Sequence, residues 1–165
     1  MTTQNRPLDR TDRAILVALR NDARITNKEL AAQVHLSPSS CHARLQRLLT
    51  EGVIRGFHAS LDARALGVGI QALITLRLQQ HSRAAMDAAW EELASLPEVV
   101  TIYRLAGVDD LLMHVAVRDV KHLRQLTLER LSEKPEVGSF ETALIYESRQ
   151  APGLPDLLEA ESTPR

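Results

Sequence analysis

The residues best suited to chemistry lie between positions 37 and 47, where small, polar and basic side chains occur at helical spacing. On a helical wheel the apolar residues Cys41, Leu45 and Leu48 share one face. The opposite face, its flanks and the helix N-cap carry the candidates for contact with DNA bases and phosphates: Ser37, Ser39, Ser40, Ala43, Arg44, Gln46 and Arg47. The solvated face of an ordinary amphipathic helix would give the same pattern. Arg44 is nearer the apolar edge and could equally hold a phosphate or brace the domain internally.

A second candidate is the turn 106–110 (Ala-Gly-Val-Asp-Asp), in which two carboxylates follow a glycine between two apolar runs. Asp109 and Asp110 could bind a cationic group, such as the ammonium of an amino acid. They could equally be the solvated charges of a plain turn, and the residues taken alone favour that interpretation.

Other kinds of site are not indicated. The chain has 1 cysteine, and its 6 histidines are not spaced with carboxylates as in metal motifs, so we expect neither a metal site nor a cofactor. No paired carboxylates, Ser–His pairing or phosphate loop suggests catalysis, so we do not expect an enzyme. No apolar run reaches the ~18 residues of a membrane helix, and no secretory signal is present. We therefore expect a cytoplasmic protein with no membrane partner.

The charges are distributed unevenly along the chain. Residues 1–65 carry 10 basic and 6 acidic side chains, whereas residues 66–165 carry 10 and 15. A basic front half before an acidic back half suggests two tasks, of which one faces a polyanion. The length of 165 residues suits one large domain or two small ones, and the hydrophobic content of 44% suits a packed core.

Residues 8–53 are predicted to form a helix-turn-helix DNA-binding domain of three short helices, winged-helix-like in character. Asp9 can cap the first helix, and Thr-x-x-Glu at 26–29 is a capping box that begins the second. Ser-Pro at 37–38 supplies an N-cap and a first-turn proline for the third. The tight turn between the second and third helices falls at 35–36.

The segment 54–68 is predicted to be a linker strand followed by a hinge. Phe57, Ala59 and Leu61 alternate with polar residues, which is the period of a strand. At the other end of the chain, residues 149–165 contain three prolines and an acidic stretch, and we expect them to be a tail.

Residues 69–148 are predicted to form an effector-binding and oligomerisation domain. Their pattern of alternating and helical periods gives the element order β-α-β-β-α-β, which is the ferredoxin-like arrangement. The predicted fold class of the whole chain is therefore α+β. Both helices cover one face of the sheet, and the apolar residues of the open face predict a partner in a second copy of the same sheet.

Residues 8–147 resemble the Lrp/AsnC family, the leucine-responsive and asparagine-operon regulators also called feast/famine proteins. The motifs that carry the resemblance occur in the family's order and spacing: LDRTDRAIL, ARITNKELAAQVHLSPSSCHARLQRL, GVIRGFHASLD, LAGVDDLLMHVAVRD and TALIYES. The resemblance implies a bacterial or archaeal transcription regulator with a helix-turn-helix and a ferredoxin-like, effector-binding module. It also implies homodimers, formed through the sheets, that assemble into tetramers or octamers.

The resemblance also assigns residues to sites. It implies an amino-acid site between dimers, at a Gly-x-x-Asp turn and a further strand position: Gly107, Val108, Asp109, Asp110 and Thr142. It implies a recognition helix with matching positions at Ser39, Ser40, Arg44 and Arg47. His35 stands at a turn position where the family often has glycine, so we expect a positive φ there.

Two functions follow from these observations. The first is a sequence-specific transcriptional regulator that binds double-stranded DNA and senses a small effector, with an amino acid as the expected class. The alternative is an effector-independent architectural protein that compacts DNA with little sequence preference. A small ratio of specific to non-specific affinity would favour the alternative.

Overall fold

The computed structural model describes residues 7–80 and 82–149 and divides into two compact units. The chain passes from the first unit to the second between Ala59 and Ser60. Apart from Arg149, the predicted tail 149–165 lies outside the described residues.

Three helices form the first unit: α1 (Arg10–Asn21), α2 (Asn27–Gln33) and α3 (Pro38–Thr50). Each begins after the predicted N-cap. The carboxylates of Asp9 and Asp12 accept hydrogen bonds from each other's backbone N–H groups at 2.8 and 3.1 Å, and Thr26 and Glu29 form the same reciprocal box. These caps satisfy N–H groups that a helix start otherwise leaves unpaired. Ser37 caps α3.

The core of the first unit lies where the three helices meet. Its most buried apolar side chains are at most 1% exposed: Ile15, Leu30, Ala31, Cys41 and Leu48. Cys41 was predicted to face inward, and the structure confirms this.

The turn between α2 and α3 is fixed by one unusual backbone conformation. His35 has a φ of 55°, the only positive φ of a non-glycine residue in the described part of the chain. This confirms the expectation for this position. The N–H of Leu36 then donates to the carbonyl of Ala31 at 2.9 Å, which closes the turn and sets the direction of α3.

The predicted linker strand is wrong for the described chain. Residues 57–61 lie in no helix or strand, and the segment contains only a 3₁₀ turn at Arg64–Leu66. A strand needs a neighbouring strand to pair with its N–H and C=O groups, and a single chain offers none here. Phe57 and Leu61 are 48% and 67% exposed, so their alternation with polar residues does not bury either side chain.

The second unit has the predicted ferredoxin-like order. Its elements are β1 (Ile70–Leu78), α4 (Arg83–Ala94), β2 (Val99–Arg104), β3 (Leu111–Val117), α5 (Val120–Thr127), which continues as a π-helical turn (Leu128–Ser132), and β4 (Val137–Leu144). The strands form one antiparallel sheet in the order β2-β3-β1-β4.

Side chains alternate between the two faces of this sheet. On β1 the inward residues Ala72, Ile74 and Leu76 are fully buried with those of β3, beneath α4 and α5. The outward residues belong to the open face, where Leu73 is 37% exposed and Tyr103 of β2 is 51% exposed. The period of two therefore predicted the buried face correctly.

Two kinds of feature are absent from the described residues. None of their helices is long and apolar enough to cross a membrane. No group of three or more of their His, Cys, Asp or Glu side chains is placed to hold a metal ion.

Candidate nucleic-acid interface and effector loop

Helix α3 separates a buried apolar face from an exposed polar one. Cys41 and Leu48 are completely buried, whereas Ser39, Ala43 and Gln46 are exposed. Short side chains allow a helix to approach the wall of a DNA groove closely, and a glutamine amide can pair with base edges. The exposed face of α3 therefore has the composition that direct contact with bases requires.

The N-terminus of α3 is held in place by a small hydrogen-bond network. The Ser37 hydroxyl accepts from the Ser40 N–H at 3.2 Å and donates to the Ser40 hydroxyl oxygen at 2.8 Å. The Asn27 side-chain amide of α2 donates to the carbonyl of Pro38 at 2.9 Å. Ser37 and Ser40 are exposed, but their hydroxyl groups already form hydrogen bonds within the N-terminal cap of α3.

Arg44 is tied to the start of α1. Its Nη1 donates to Asp9 Oδ2 at 2.5 Å and to Asp12 Oδ1 at 3.0 Å. Of the two roles left open by the sequence, the structure gives Arg44 the internal brace. Its side chain remains 32% exposed, and its contact with a DNA phosphate stays a prediction.

Arg47 belongs to the same network. Its Nη2 donates to Asp12 Oδ1 at 2.6 Å, and its Nη1 lies 3.5 Å from Glu51 Oε2. Its side chain is 25% exposed, compared with 1% for Asp12. The wheel grouped Arg47 with the fully exposed residues of α3, because a helical wheel contains no information about a partner 35 residues away.

The two aspartates are held in their ionised forms. The hydrogen bond from Arg44, followed by that from the Asp12 N–H, lowers the pKa of Asp9 from 3.8 to about 2. Burial alone would raise the pKa of Asp12, but hydrogen bonds from Arg47, the Asp9 N–H and Arg44 outweigh it and lower the pKa. Both aspartates are therefore ionised at neutral pH.

We predict that Asp9 titrates near pH 2 in the folded protein. A carboxyl group whose pKa falls on folding stabilises the fold above its unfolded pKa of 3.8, and this contribution is lost as the pH falls towards about 2. The carboxyl ¹³C shift of Asp9 measured against pH would give the value directly. Arg44→Gln should return the midpoint towards 3.8, and a wild-type midpoint near 3.8 would contradict the pairing.

The candidate effector loop connects β2 to β3 and is anchored on β1. Asp110 Oδ2 accepts from the Leu78 N–H at 2.7 Å, and the Asp110 N–H donates to the Leu76 carbonyl at 2.9 Å. Asp110 therefore fixes the loop to the sheet. Asp109 is half-buried, and its carboxylate has no side-chain partner among the described residues.

A basic side chain adjoins this loop. Arg77 Nε of β1 donates to the Val108 carbonyl at 2.9 Å, while the Val108 side chain is 75% exposed. Gly107 faces open space, with no atom within 4 Å of the position that a Cβ would take. The loop thus presents a carboxylate and a guanidinium, the groups that complement the ammonium and carboxylate of an amino acid.

Thr142 lies elsewhere in the sheet. It is exposed on β4, where it pairs with Ile74, and β1 separates β4 from β3 in the strand order. No hydrogen bond joins Thr142 to the loop in the described structure. One chain alone therefore does not combine Thr142 with Asp109 in one site.

The comparisons with known proteins decide the family. A family model described as winged helix-turn-helix DNA-binding matches residues 8–55, and one described as the Lrp/AsnC ligand binding domain matches residues 71–152. The transcriptional regulator AldR of Mycolicibacterium smegmatis is 44% identical over 86% of this chain and 83% of its own length. The chain belongs to the Lrp/AsnC family. It is a DNA-binding transcriptional regulator of that family and not an enzyme.

Further members of the Lrp/AsnC family agree with this assignment. The transcriptional regulator AzlB of Bacillus subtilis is 30% identical over 87% of this chain and 91% of its own length. A crystal structure of a transcriptional regulator from Neisseria meningitidis, in complex with L-methionine, has a TM-score of 0.84 and 27% identity. It covers 93% of this chain, and this chain covers 99% of it. The predicted family and fold are thereby confirmed.

Sequence reasoning missed two groups of residues. The sequence indicates Asp9 and Asp12 only as acids at the start of α1, although both also bind arginines of α3. The spacing within α1 carries a signal for capping but none for a contact across the domain. Arg77 is an outward residue of β1 by the period of two, and nothing local in the sequence indicates its contact with Val108.

Proposed function

We propose that this regulator recognises a specific operator by inserting α3 into the major groove of DNA, and that it acts in the cytoplasm. The observation that carries the proposal is the exposed face of α3, where Ser39, Ala43 and Gln46 can reach base edges. Ser37 and Ser40 lie at the helix N-terminus, which favours a phosphate. The N–H groups of Arg44 and Arg47 that face solvent would contact further phosphates.

Selection of bound duplexes from a random pool tests sequence specificity. A dimer is expected to enrich a pseudo-palindrome whose half-sites lie on one face of the duplex. The selected duplex should bind at least about 10³-fold tighter than mixed-sequence DNA. If no sequence is enriched, the protein is the architectural alternative.

We further propose that an L-amino acid is the effector and that it binds at the β2–β3 loop. The half-buried carboxylate of Asp109 would take the ammonium, and Arg77 would take the α-carboxylate. The L-methionine complex of the Neisseria meningitidis relative supports this class of ligand without identifying the amino acid here. The site would be completed by a second dimer, because Thr142 does not reach the loop within one chain.

A thermal-shift screen of the common L-amino acids is predicted to find a selective ligand. At 100 times its dissociation constant, the ligand should stabilise the protein by about 2.7 kcal/mol. Asp109→Asn should remove the shift, whereas Glu133→Gln, which neutralises an exposed acid outside the loop, should retain it. The proposed site would be contradicted if no amino acid raised the melting temperature, or if the rise persisted in Asp109→Asn.

The dimer is proposed to form through the open face of the sheet, and dimers to join into tetramers or octamers. Leu73 lies centrally on that face, paired with His114 of β3 and Ala143 of β4, and is 37% exposed. An apolar residue at this place suits an isologous contact between two sheets.

Leu73→Asp is predicted to shift the protein towards the monomer, because it would bury two unpaired carboxylates across the two-fold axis. Light scattering after size-exclusion chromatography measures the molar mass and hence the oligomeric state. Val120→Asp is the matched control, since Val120 is 66% exposed at the first position of α5, where an acid is favourable. Equal masses for Leu73→Asp and the wild type would contradict the proposed interface.

A further inference from the structure

The arginines of the recognition helix are already neutralised within the protein. Arg44 and Arg47 contribute two positive charges, and Asp9, Asp12 and Glu51 lie within 4 Å of them with three negative ones. The α3 surface that would meet a polyanion is therefore less positive than its own sequence indicates.

The carboxylates that hold Arg44 differ in their access to solvent. The Asp12 side chain is 1% exposed and is held by both arginines, so it cannot leave the network without opening the domain. The Asp9 side chain is 44% exposed and contacts only one of the two arginines, Arg44, through Oδ2, while its Oδ1 accepts from the Asp12 N–H. Asp9 is thus the displaceable partner.

The geometry of Arg44 permits an exchange of partners. Its hydrogen bonds to the described residues use Nη1 alone, and its side chain is 32% exposed. A guanidinium carries five N–H donors, so those of Nε and Nη2 stay available to an outside acceptor. A DNA phosphate offers the same oxygen chemistry as the Asp9 carboxylate and would compete with it for this group.

We propose that Asp9 limits the affinity of the recognition helix for DNA by occupying Arg44 in place of a phosphate. This inference rests on the proposed insertion of α3 into the groove. Asp9 acts through Arg44 and is a positioning residue that sets the general, sequence-independent part of the binding free energy. Its effect must therefore appear in the dependence of affinity on salt, because each additional phosphate contact releases counterions.

Asp9→Asn is the test variant, because asparagine caps a helix as well as aspartate does. The variant keeps the acceptor for the Asp12 N–H and removes the charge opposite Arg44. We measure the affinity of the full chain for a mixed-sequence duplex between about 50 and about 200 mM salt. At the low end, Asp9→Asn should bind roughly threefold to tenfold tighter than the wild type, and its log–log salt slope should be steeper by about 0.9.

Two controls separate this mechanism from a general change of charge. Asp22→Asn removes the same charge from an exposed aspartate that accepts from the backbone N–H of Arg24 and makes no ion pair with the described residues. It should leave the salt slope unchanged. Adding Arg44→Gln to Asp9→Asn should abolish both the gain in affinity and the steeper slope, and thermal unfolding verifies that each variant is folded.

The outcomes distinguish failure of this inference from failure of the proposed function. If Asp9→Asn binds no tighter than Asp22→Asn, or if its salt slope equals that of the wild type, Asp9 does not compete with phosphate. That result overturns the inference alone, provided that Ala43→Glu still weakens DNA binding. If Ala43→Glu leaves DNA binding intact, α3 is not the DNA-binding surface, and both the function and the inference fail.

Discussion

Replacing Ala43 with glutamate is expected to reduce DNA binding by about 100-fold or more. Ala43 is exposed in the middle of the proposed DNA-binding face of α3. A carboxylate there would point at the phosphates and base edges, and the juxtaposition of like charges at an interface costs several kcal/mol. A binding free energy of about 1.4 kcal/mol corresponds to a factor of ten in affinity, so a 100-fold loss of affinity requires only twice that amount.

The fold is expected to tolerate this change. Glutamate is a good helix former, and position 43 lies one turn before Arg47, where an acid is favourable. Ala43→Gln adds a side chain of the same length without a charge and serves as the matched control. Its loss of DNA affinity should be at least about tenfold smaller than that of Ala43→Glu. Equal binding by Ala43→Glu and the wild type would show that this face does not meet DNA.

Replacing Asp12 with alanine is expected to destabilise the helical unit by about 3 kcal/mol. Asp12 is buried and receives hydrogen bonds from Arg44, Arg47 and the backbone of Asp9. Removing one partner of a buried ion pair costs about 3 to 5 kcal/mol. The lower value applies here because the two guanidinium groups are 25% and 32% exposed and regain water.

Cys41 provides the measurement. It is the only cysteine of the chain, it is completely buried in the helical unit, and burial raises the pKa of its thiol. Its reaction with a thiol reagent under native conditions therefore requires local opening of that unit. A loss of about 3 kcal/mol should accelerate the reaction by about 100-fold.

Asp22→Ala is the matched control, because Asp22 is an exposed acid of the same unit and makes no ion pair with the described residues. A surface change of this kind should alter stability by less than about 0.5 kcal/mol. If Asp12→Ala and Asp22→Ala leave the Cys41 reaction equally slow, the ion-pair network does not hold α1 against α3.

The secondary structure of this chain was predictable wherever its determinants are local. The caps at Asp9, Thr26 and Ser37 fix helix starts through contacts within four residues, so their spacing reveals them. The alternation along β1 likewise predicted which side chains lie in the core, because one face of the sheet must be buried.

The same kind of pattern failed where the partner is distant or absent. Phe57 and Leu61 alternate as in a strand, but no strand within residues 7–80 and 82–149 pairs with them. Arg44 and Arg47 have the residue type and spacing of a DNA-contacting helix, yet their carboxylate partners lie 32 to 35 residues earlier. Local spacing contains no information about such contacts, so only the structure reveals that both arginines bind aspartates of α1.

Local spacing is equally uninformative about the two aspartates of the candidate effector loop. Its two aspartates are equivalent in sequence, but Asp110 binds the backbone of β1, whereas Asp109 has no side-chain partner among the described residues. Only the folded sheet distinguishes the anchoring residue from the candidate ligand-binding residue.

Methylation interference on a selected duplex would determine which groove of the DNA α3 enters. Methyl groups at guanine N7 obstruct the major groove, where α3 is proposed to read the bases. A two-fold dimer should give two clusters of interference on one face of the duplex, about 10 base pairs apart or a multiple of this. Interference confined to the minor groove, or spread evenly along the duplex, would contradict the proposed insertion of α3 into the major groove.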